Sequence, residues 1–319
     1  MPNFQGVWSL SEQYQNAGIW PQPPLTGDIG LFFGSLNVIQ YIQITTTGNS
    51  EDFGDMTTNG ETPGVVASST RAVRLGGGGA SNVIDFVTIS TRGNATDFGD
   101  MVLQVYNQLA GCGSSTRGVV AGGNIATGHT NVIQYVTIAT AGNATDFGDM
   151  TAERSSAAGF SSTTRGVWAG GNPTGASTSN IIDYVTIATT GNATDFGDIA
   201  FPAAADGKID LAAGASSSTR GLIFNGTDGG AFIVNNDIIQ YVTIASTGNT
   251  TDFGDTAAVS RARAATSNGI RGIVAGGLNI TTVIEYVTIA STGNAVDFGD
   301  LTSPQSSFSG GSNAHGGLS

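Results

Sequence analysis

The chain has 319 residues and a net charge of −13, with 11 lysine and arginine residues against 24 acidic ones. Nucleic acids and anionic membrane surfaces are bound by clustered Lys and Arg, and this sequence has no basic run, so we expect neither partner. The 48 glycines and the 11% of charged residues exclude a charge-rich disordered chain and favour short strands joined by tight turns.

Residues 1–27 do not share the pattern of the remaining chain. Ser9 and Glu12 have the spacing of a helix capping box, so we expect a short helix over residues 10–17. Three large aromatic residues lie on this segment: Trp8, Tyr14 and Trp20. We expect these rings to dock onto another protein, because aromatic anchors often dominate interfaces. The alternative is that they fold back on the rest of the chain.

Residues 28–319 are built from one repeated unit. The triplet Asp-Phe-Gly occurs six times, at 52–54, 97–99, 146–148, 195–197, 252–254 and 297–299. Successive copies are separated by 45 (97 − 52) to 57 (252 − 195) residues. Repetition at this period is typical of modular arrays, whose units bury apolar faces against one another.

Each unit contains four short extended segments. The longest, residues 131–139, is mostly apolar on both faces, as expected for a strand covered on both sides. A Gly pair such as Gly170-Gly171 follows the second segment. Four strands per unit, the period and this Gly pair resemble the kelch-type β-propeller. The predicted fold is therefore all-β, a six-bladed kelch-like β-propeller preceded by a short N-terminal attachment segment.

The two ends of the repeat array are complementary. Residues 306–318 match the first, small-residue segment of an internal unit, whereas residues 30–34 match the second segment and lack a clear first one. We therefore predict that the C-terminal strand completes the first blade. The domain boundaries that follow are 1–27 for the attachment segment and 28–319 for the closed propeller.

Two residue types recur at fixed positions of the unit and are expected to join neighbouring blades. The recurrent arginines are Arg71, Arg117, Arg165, Arg220 and Arg271. The recurrent phenylalanines are Phe53, Phe98, Phe147, Phe196, Phe253 and Phe298. We expect the arginines to form ion pairs or carbonyl contacts between blades; the alternative is a basic rim that binds an anionic sugar. Asp-Phe-Gly is also a protein-kinase motif, but the other kinase motifs are missing from this sequence. We therefore interpret each phenylalanine as structural and expect it to pack between blades.

Asn and Asp also recur around each Asp-Phe-Gly, as in Asn143, Asp146 and Asp149. Such residues cap turns through their own backbone, and their oxygens also suit calcium. We expect turn capping and no cofactor, with calcium as the open alternative. A recurrent mid-strand Tyr, for example Tyr135, is expected to be core, although a ring of aromatics could also stack on sugars.

Catalytic motifs are missing from the sequence. The two histidines, His129 and His315, lie in Gly-rich segments, and no nucleophile elbow, zinc-binding helix or phosphate-binding loop occurs. We therefore expect no enzyme, although glycoside hydrolysis needs only two carboxylates.

Three polar insertions follow the second segment of their units: 124–130, 172–179 and 225–237. Because they share one position in the unit, they are expected to cluster on one face and to bind a ligand there. The candidate ligand-binding residues are Asn124, His129, Asn172, Thr178, Asn225 and Asp228.

Two phrases resemble bacteriophage virion proteins. One is GVWSLSEQYQ at residues 6–15, followed by Trp20-Pro21; the other is the repeat phrase, which reads NVIQYVTIATAGNATDFGD at residues 131–149. The resemblance implies a non-enzymatic structural protein on the virion surface, with residues 1–27 docked to other virion proteins. It further implies host-surface glycan recognition in a tail fibre or appendage, and a homo-oligomer on the particle. The alternatives are a capsid decoration or cement protein, and a surface glycan hydrolase or lyase.

Overall fold

The chain folds as a six-bladed β-propeller, which confirms the predicted fold class. The computed structural model describes residues 23–34, 36–79, 81–175, 178–200, 208–228, 234–278 and 282–318. The predicted helix at 10–17 and the three aromatic residues Trp8, Tyr14 and Trp20 lie outside these ranges.

Each blade has four long antiparallel strands, which follow one another from the axis outward. Blade 1 contains Ser309–Ser312, Ile29–Phe33, Val38–Gln43 and Glu51–Asp55. Blade 2 contains Gly64–Ala67, Arg71–Leu75, Ser81–Thr88 and Thr96–Val105. Blade 3 contains Ala110–Gly113, Arg117–Ala121, Val132–Thr137 and Thr145–Asp149. Blade 4 contains Ala158–Ser161, Arg165–Ala169, Ile181–Thr186 and Thr194–Asp198. Blade 5 contains Ala213–Ser216, Arg220–Phe224, Val234–Thr243 and Thr251–Ser260. Blade 6 contains Ala264–Ser267, Arg271–Ala275, Val283–Thr288 and Val296–Asp300.

Shorter elements lie in the connections between these strands. They are Asn124–Ile125 paired with Gly128–His129, Arg154–Ser155 paired with Asn172–Pro173, Thr227–Asp228, and a 3₁₀ turn at Ile89–Thr91. Within the ranges that the structure describes, no helix is long and apolar enough to cross a membrane.

The ring is closed between the two ends of the chain. Ser309–Ser312 pairs with Ile29–Phe33 in antiparallel register, with Gly30 opposite Ser312 and Phe33 opposite Ser309. Phe308 packs on Phe32 with ring centroids 5.9 Å apart. Blade 1 therefore takes three strands from one end of the array and its innermost strand from the other.

The innermost strands are rich in small residues because their backbones approach one another around the axis. A Cβ added to Gly111 would lie 2.2 Å from the Val65 carbonyl oxygen, and one added to Gly159 would lie 2.5 Å from the Gly111 carbonyl oxygen. Gly214 has the same relation to Gly159. Larger residues would push these strands apart, which explains the small-residue segment of the repeat.

The hydrophobic core is divided into six clusters, and each joins two adjacent blades. Every cluster contains one Phe of an Asp-Phe-Gly triplet, and each of these rings is at most 3% exposed. The ring packs edge-on against the mid-strand aromatic of its own blade, as in Tyr184 and Phe196 with centroids 5.9 Å apart. The repeated Phe thus stabilises the contact between blades.

Candidate ligand-binding face

The two faces of the propeller carry different connections. Because the strands of a blade alternate in direction, the loops between second and third strands lie on the same face as the loops between blades. We call this the loop face, and we call the opposite face the turn face. The insertion 124–130 is on the loop face, as are the described parts of 172–179 and 225–237.

Polar side chains from blades 3 and 4 meet on the loop face. The Asn124 Nδ2 donates to Asn107 Oδ1 at 2.7 Å and to Gln108 Oε1 at 2.8 Å. Asn124 Oδ1 accepts a hydrogen bond from His129 Nδ1 at 2.6 Å, and the Asn172 side chain also hydrogen-bonds His129. We call Asn107, Gln108, Asn124, His129 and Asn172 the rim cluster. All five side chains are half-buried, so the network is fixed and still reaches solvent.

The imidazole of His129 is held in the network by its Nδ1. Because Asn124 Nδ2 uses both its hydrogens on Asn107 and Gln108, the Asn124 oxygen is the acceptor and His129 Nδ1 carries a proton. Burial lowers the pKa of His129, and this effect outweighs the opposing effects of Glu153 and Asn172. We therefore expect a neutral imidazole at pH 7.

The remaining candidate residues on this face have other roles. Thr178 is buried, with 5% exposure. Asn225 is buried too; its Nδ2 donates to Thr256 Oγ1 at 2.7 Å, and its Oδ1 accepts from Arg263 at 3.3 Å. The backbone of Asp228 pairs with Val234. The structure thus brings Asn124, His129 and Asn172 together, whereas Asn225 bonds to the buried side chains of Thr256 and Arg263.

The recurrent arginines bridge blades through backbone carbonyls. Arg117 donates to the Ile187 carbonyl at 2.8 Å and Arg165 to the Ile244 carbonyl at 2.9 Å; in each case the acceptor belongs to the following blade. Arg71, Arg220 and Arg271 make the equivalent bonds to Ala139, Ile289 and Ile44. Each guanidinium also lies 4.3–4.7 Å from the ring of the mid-strand aromatic in its own blade. A guanidinium thus covers one face of each of these aromatic rings, and a Phe ring packs against it edge-on. Little of the ring is left for stacking on a sugar.

The recurrent Asn residues join the outer edges of neighbouring blades. The backbone N–H of Asp55 donates to Asn94 Oδ1 of the next blade at 3.0 Å, and Asp300 closes the ring by donating to Asn49 at 3.0 Å. The same bond recurs at the other four junctions, to Asn143, Asn192, Asn249 and Asn294. Among the described residues, no three His, Cys, Asp or Glu side chains are grouped as they would be around a metal ion.

A second polar ring, buried between blades, was not predicted from the sequence. It occupies the third position of the Val-Ile-x-Tyr strand and alternates strictly between amide and acid: Gln40, Asp85, Gln134, Asp183, Gln240 and Glu285. Each acid is paired with a buried arginine at 2.7–2.8 Å: Arg74 with Asp85, Arg154 with Asp183, and Arg263 with Glu285. The alternation is visible in the sequence, whereas the arginine partners come from different positions of the unit.

The propeller axis holds two cavities, one above the other. The upper one, of about 90 Å³, faces the loop face and is lined by Gln108 and Ser156 among others. The lower one, of about 60 Å³, is lined by His315 and Thr266 among others. Gly111 lines both cavities, and it lies at the level where the innermost strands approach one another.

Six residues with left-handed backbone conformation surround the upper cavity, one just before each innermost strand. These residues, which we call the axial ring, are Thr62, Gln108, Ser156, Leu211, Ala262 and Ser307, with φ between 41° and 63°. At five junctions, the N–H of one ring residue donates to the carbonyl of the preceding one at 2.8–3.1 Å. At the sixth, the Leu211 N–H donates to the side chain of Asp210 at 2.8 Å instead.

Asp210 is a buried acid at this break in the axial ring. It is 8% exposed, and burial raises its pKa to about 6, against the smaller lowering effects of the Leu211 N–H, Ser156 and Arg261. The folded state therefore binds a proton more tightly than the unfolded chain. As pH rises from about 4 to about 6, the folded state loses stability relative to the unfolded state.

Asp210→Asn is expected to stabilise the protein at pH 8 and to have little effect at pH 3.5. The rise in pKa from 3.8 to about 6 corresponds to at most roughly 3 kcal/mol, and Asn keeps an oxygen to accept the Leu211 N–H. Urea unfolding of both proteins across this pH range measures the difference. Equal stability of the variant and the wild type at pH 8 would show that the carboxylate carries no burial penalty.

No family model matches the chain, and no curated protein matches it.

Proposed function

We propose that this chain is a non-enzymatic structural protein of a bacteriophage virion and that the loop face of its propeller binds a glycan on the host surface. The observation that carries the binding part is the rim cluster. Amide and imidazole groups can both donate and accept hydrogen bonds, which suits sugar hydroxyls. The network holds these groups in place before a ligand arrives, so that less conformational entropy is lost on binding.

The structure of the blades supports this role by making the loop face a fixed platform. Asn–backbone bonds and one Phe cluster connect each blade to the next, and Arg–carbonyl bonds do so at five of the six junctions. Sites that are positioned by a rigid scaffold keep their geometry better than sites on isolated loops. The repeated residues thus serve the framework, while the insertions that depart from the repeat, together with the connection between blades 2 and 3, provide the rim cluster.

The virion part of the proposal rests on the resemblance of residues 6–15 and of the repeat phrase to phage virion proteins. In this proposal residues 1–27 attach the propeller to other virion proteins, and several copies are displayed on the particle surface. The described N-terminal residues support an attachment on the turn face: the Leu25 N–H donates to the Ser90 carbonyl, in a turn of that face. The loop face would then point away from the particle.

Binding to surface polysaccharide extracted from host cells tests the glycan part. Asn124→Ala should weaken binding by roughly tenfold or more, because it releases both Gln108 and His129 from their hydrogen bonds. Gln43→Ala is the matched control, since it removes a half-buried amide from the turn face, where the Gln43 side chain donates to Thr45 Oγ1 at 3.3 Å. Equal binding by the Asn124 variant and the wild type would refute the site, and release of reducing sugar ends would favour a hydrolase.

A further inference from the structure

We propose that the upper axial cavity is a blind subsite for the terminal residue of a neutral glycan and that it takes a primary hydroxyl group of that residue. The inference rests on the proposed glycan binding, and it specifies which part of the glycan this cavity recognises. It concerns the axis of the propeller, next to the rim cluster, with Gln108 belonging to both.

Among the described residues, the cavity is open only toward the loop face. After the innermost strand of blade 1, residues 313–318 cross the axis on the turn face. His315 Nε2 donates to the Ala67 carbonyl at 2.8 Å, and its Nδ1 accepts the Gly317 N–H at 3.1 Å. A Cβ added to Gly317 would lie 1.8 Å from the Gly113 carbonyl oxygen. This tail closes the lower end of the channel, so a polymer cannot thread through and only a chain end can enter.

Two polar groups are positioned to meet a ligand in the cavity. The Ser156 hydroxyl is part of a residue with 8% exposure that lines the cavity; it lies near the Asp210 carboxyl, whose pKa it lowers, but makes no hydrogen bond of good geometry among the described residues. Gln108 lines the cavity as well, and its Oε1 is held by Asn124 and by Ser155 Oγ at 3.0 Å. The amide orientation is therefore fixed, and Nε2 has two hydrogens to donate. A buried hydroxyl without a partner is costly in an empty site, and a ligand hydroxyl would satisfy it.

The charges around the cavity select a neutral ligand. Arg263 is the charged residue in its lining, and its guanidinium is paired with Glu285 at 2.7 Å. Asp210 lies directly beside the axial ring, at its break, and the whole chain carries a net charge of −13. An anionic sugar would be repelled here, whereas hydroxyl groups can bond to Ser156 and Gln108.

The size of the cavity selects a small group. About 90 Å³ holds a few water molecules, which is enough for a hydroxymethyl group and too little for a whole hexose ring. Apolar residues such as Pro63 and Phe308 line it beside the polar groups, and they would contact the carbon atoms. A terminal hexose would thus insert its primary hydroxyl while its ring remains near the rim cluster.

Ligand-observed saturation-transfer NMR tests this with the methyl glycosides of glucose, galactose and mannose and with their 6-deoxy analogues. We expect at least one hexoside to receive most saturation at its C6 protons, and its 6-deoxy analogue to bind roughly tenfold more weakly. Ser156→Ala should reduce binding by a similar factor. Thr266→Val is the matched control, because the Thr266 hydroxyl is also buried and unpartnered among the described residues but lies in the closed lower cavity.

The results separate this inference from the proposed function. If host polysaccharide binds and depends on Asn124, but Ser156→Ala changes neither polysaccharide nor hexoside binding, the axial subsite is refuted and the rim cluster stands. If neither polysaccharide nor any hexoside binds the folded wild-type protein, both proposals are refuted. Equal losses in the Ser156 and Thr266 variants would also overturn the subsite, since they would reflect a general effect of removing buried hydroxyls.

Discussion

A chain that ends at residue 307 is expected not to fold. The deletion removes Phe308, which is 2% exposed, and the strand Ser309–Ser312, which forms the innermost strand of blade 1. Loss of a buried Phe side chain alone costs about 3–5 kcal/mol, and whole domains are stable by only about 5–15 kcal/mol. The backbone groups of Ile29–Phe33 that now pair with this strand would also lose their partners.

Thermal unfolding followed by circular dichroism measures this effect. A chain that ends at Asn313 is the control, because it keeps the strand and the two side-chain bonds of Asn313, from the Ile29 N–H at 2.7 Å and to the Gly27 carbonyl at 2.9 Å. We expect the control to unfold cooperatively and the shorter chain to show no cooperative transition. A shorter chain with the midpoint of the full protein would contradict ring closure by the C-terminal strand.

Arg154→Met is expected to destabilise the protein by about 3–5 kcal/mol, because it leaves Asp183 buried without its cation. Both side chains are fully buried and their atoms are 2.8 Å apart. Among the described residues, the Asp183 carboxylate would keep the hydrogen bonds from the Thr151 backbone at 3.2 Å and from the Thr151 hydroxyl at 2.7 Å.

The chain itself supplies the compensating change for this variant. Blades 1, 3 and 5 have Gln at the position of Asp183, and Gln134 accepts the equivalent backbone bond from Val102 at 2.6 Å. Arg154→Met combined with Asp183→Gln should therefore recover most of the lost stability, whereas Asp183→Gln alone leaves Arg154 unpaired. Urea unfolding of the three variants gives the coupling energy. Additive losses in the double variant would show that the pair is not the source of the effect.

The predictable part of this fold is the part encoded by repetition. The Asp-Phe-Gly spacing predicts six units, and the match of residues 306–318 to the first segment predicts that the C-terminal strand completes the first blade. The axial ring has no such signal, because Thr62, Gln108, Leu211 and their counterparts share a conformation but not a residue type. The buried ion pairs are hidden for a similar reason: Arg74 lies on the second strand of its blade, whereas Arg154 and Arg263 lie in the connections between blades.

The candidate site was predicted in part. Asn124, His129 and Asn172 follow from insertions at one position of the unit, and the structure brings them together. Asn107 and Gln108 were missed because they lie in the connection between blades 2 and 3, and only the closed ring places that connection beside the insertion. The upper cavity is likewise formed by all six blades and leaves no local sequence signal.

Immunogold labelling of intact, purified phage particles with an antibody against residues 124–130 tests the proposed function most directly. This segment belongs to the loop face, so the antibody reports both the presence of the chain in the virion and the direction of that face. The account predicts label on the outer surface of the particle, at a fibre or similar appendage. Intact particles without label, from a preparation in which the same antibody binds the isolated propeller, would contradict it.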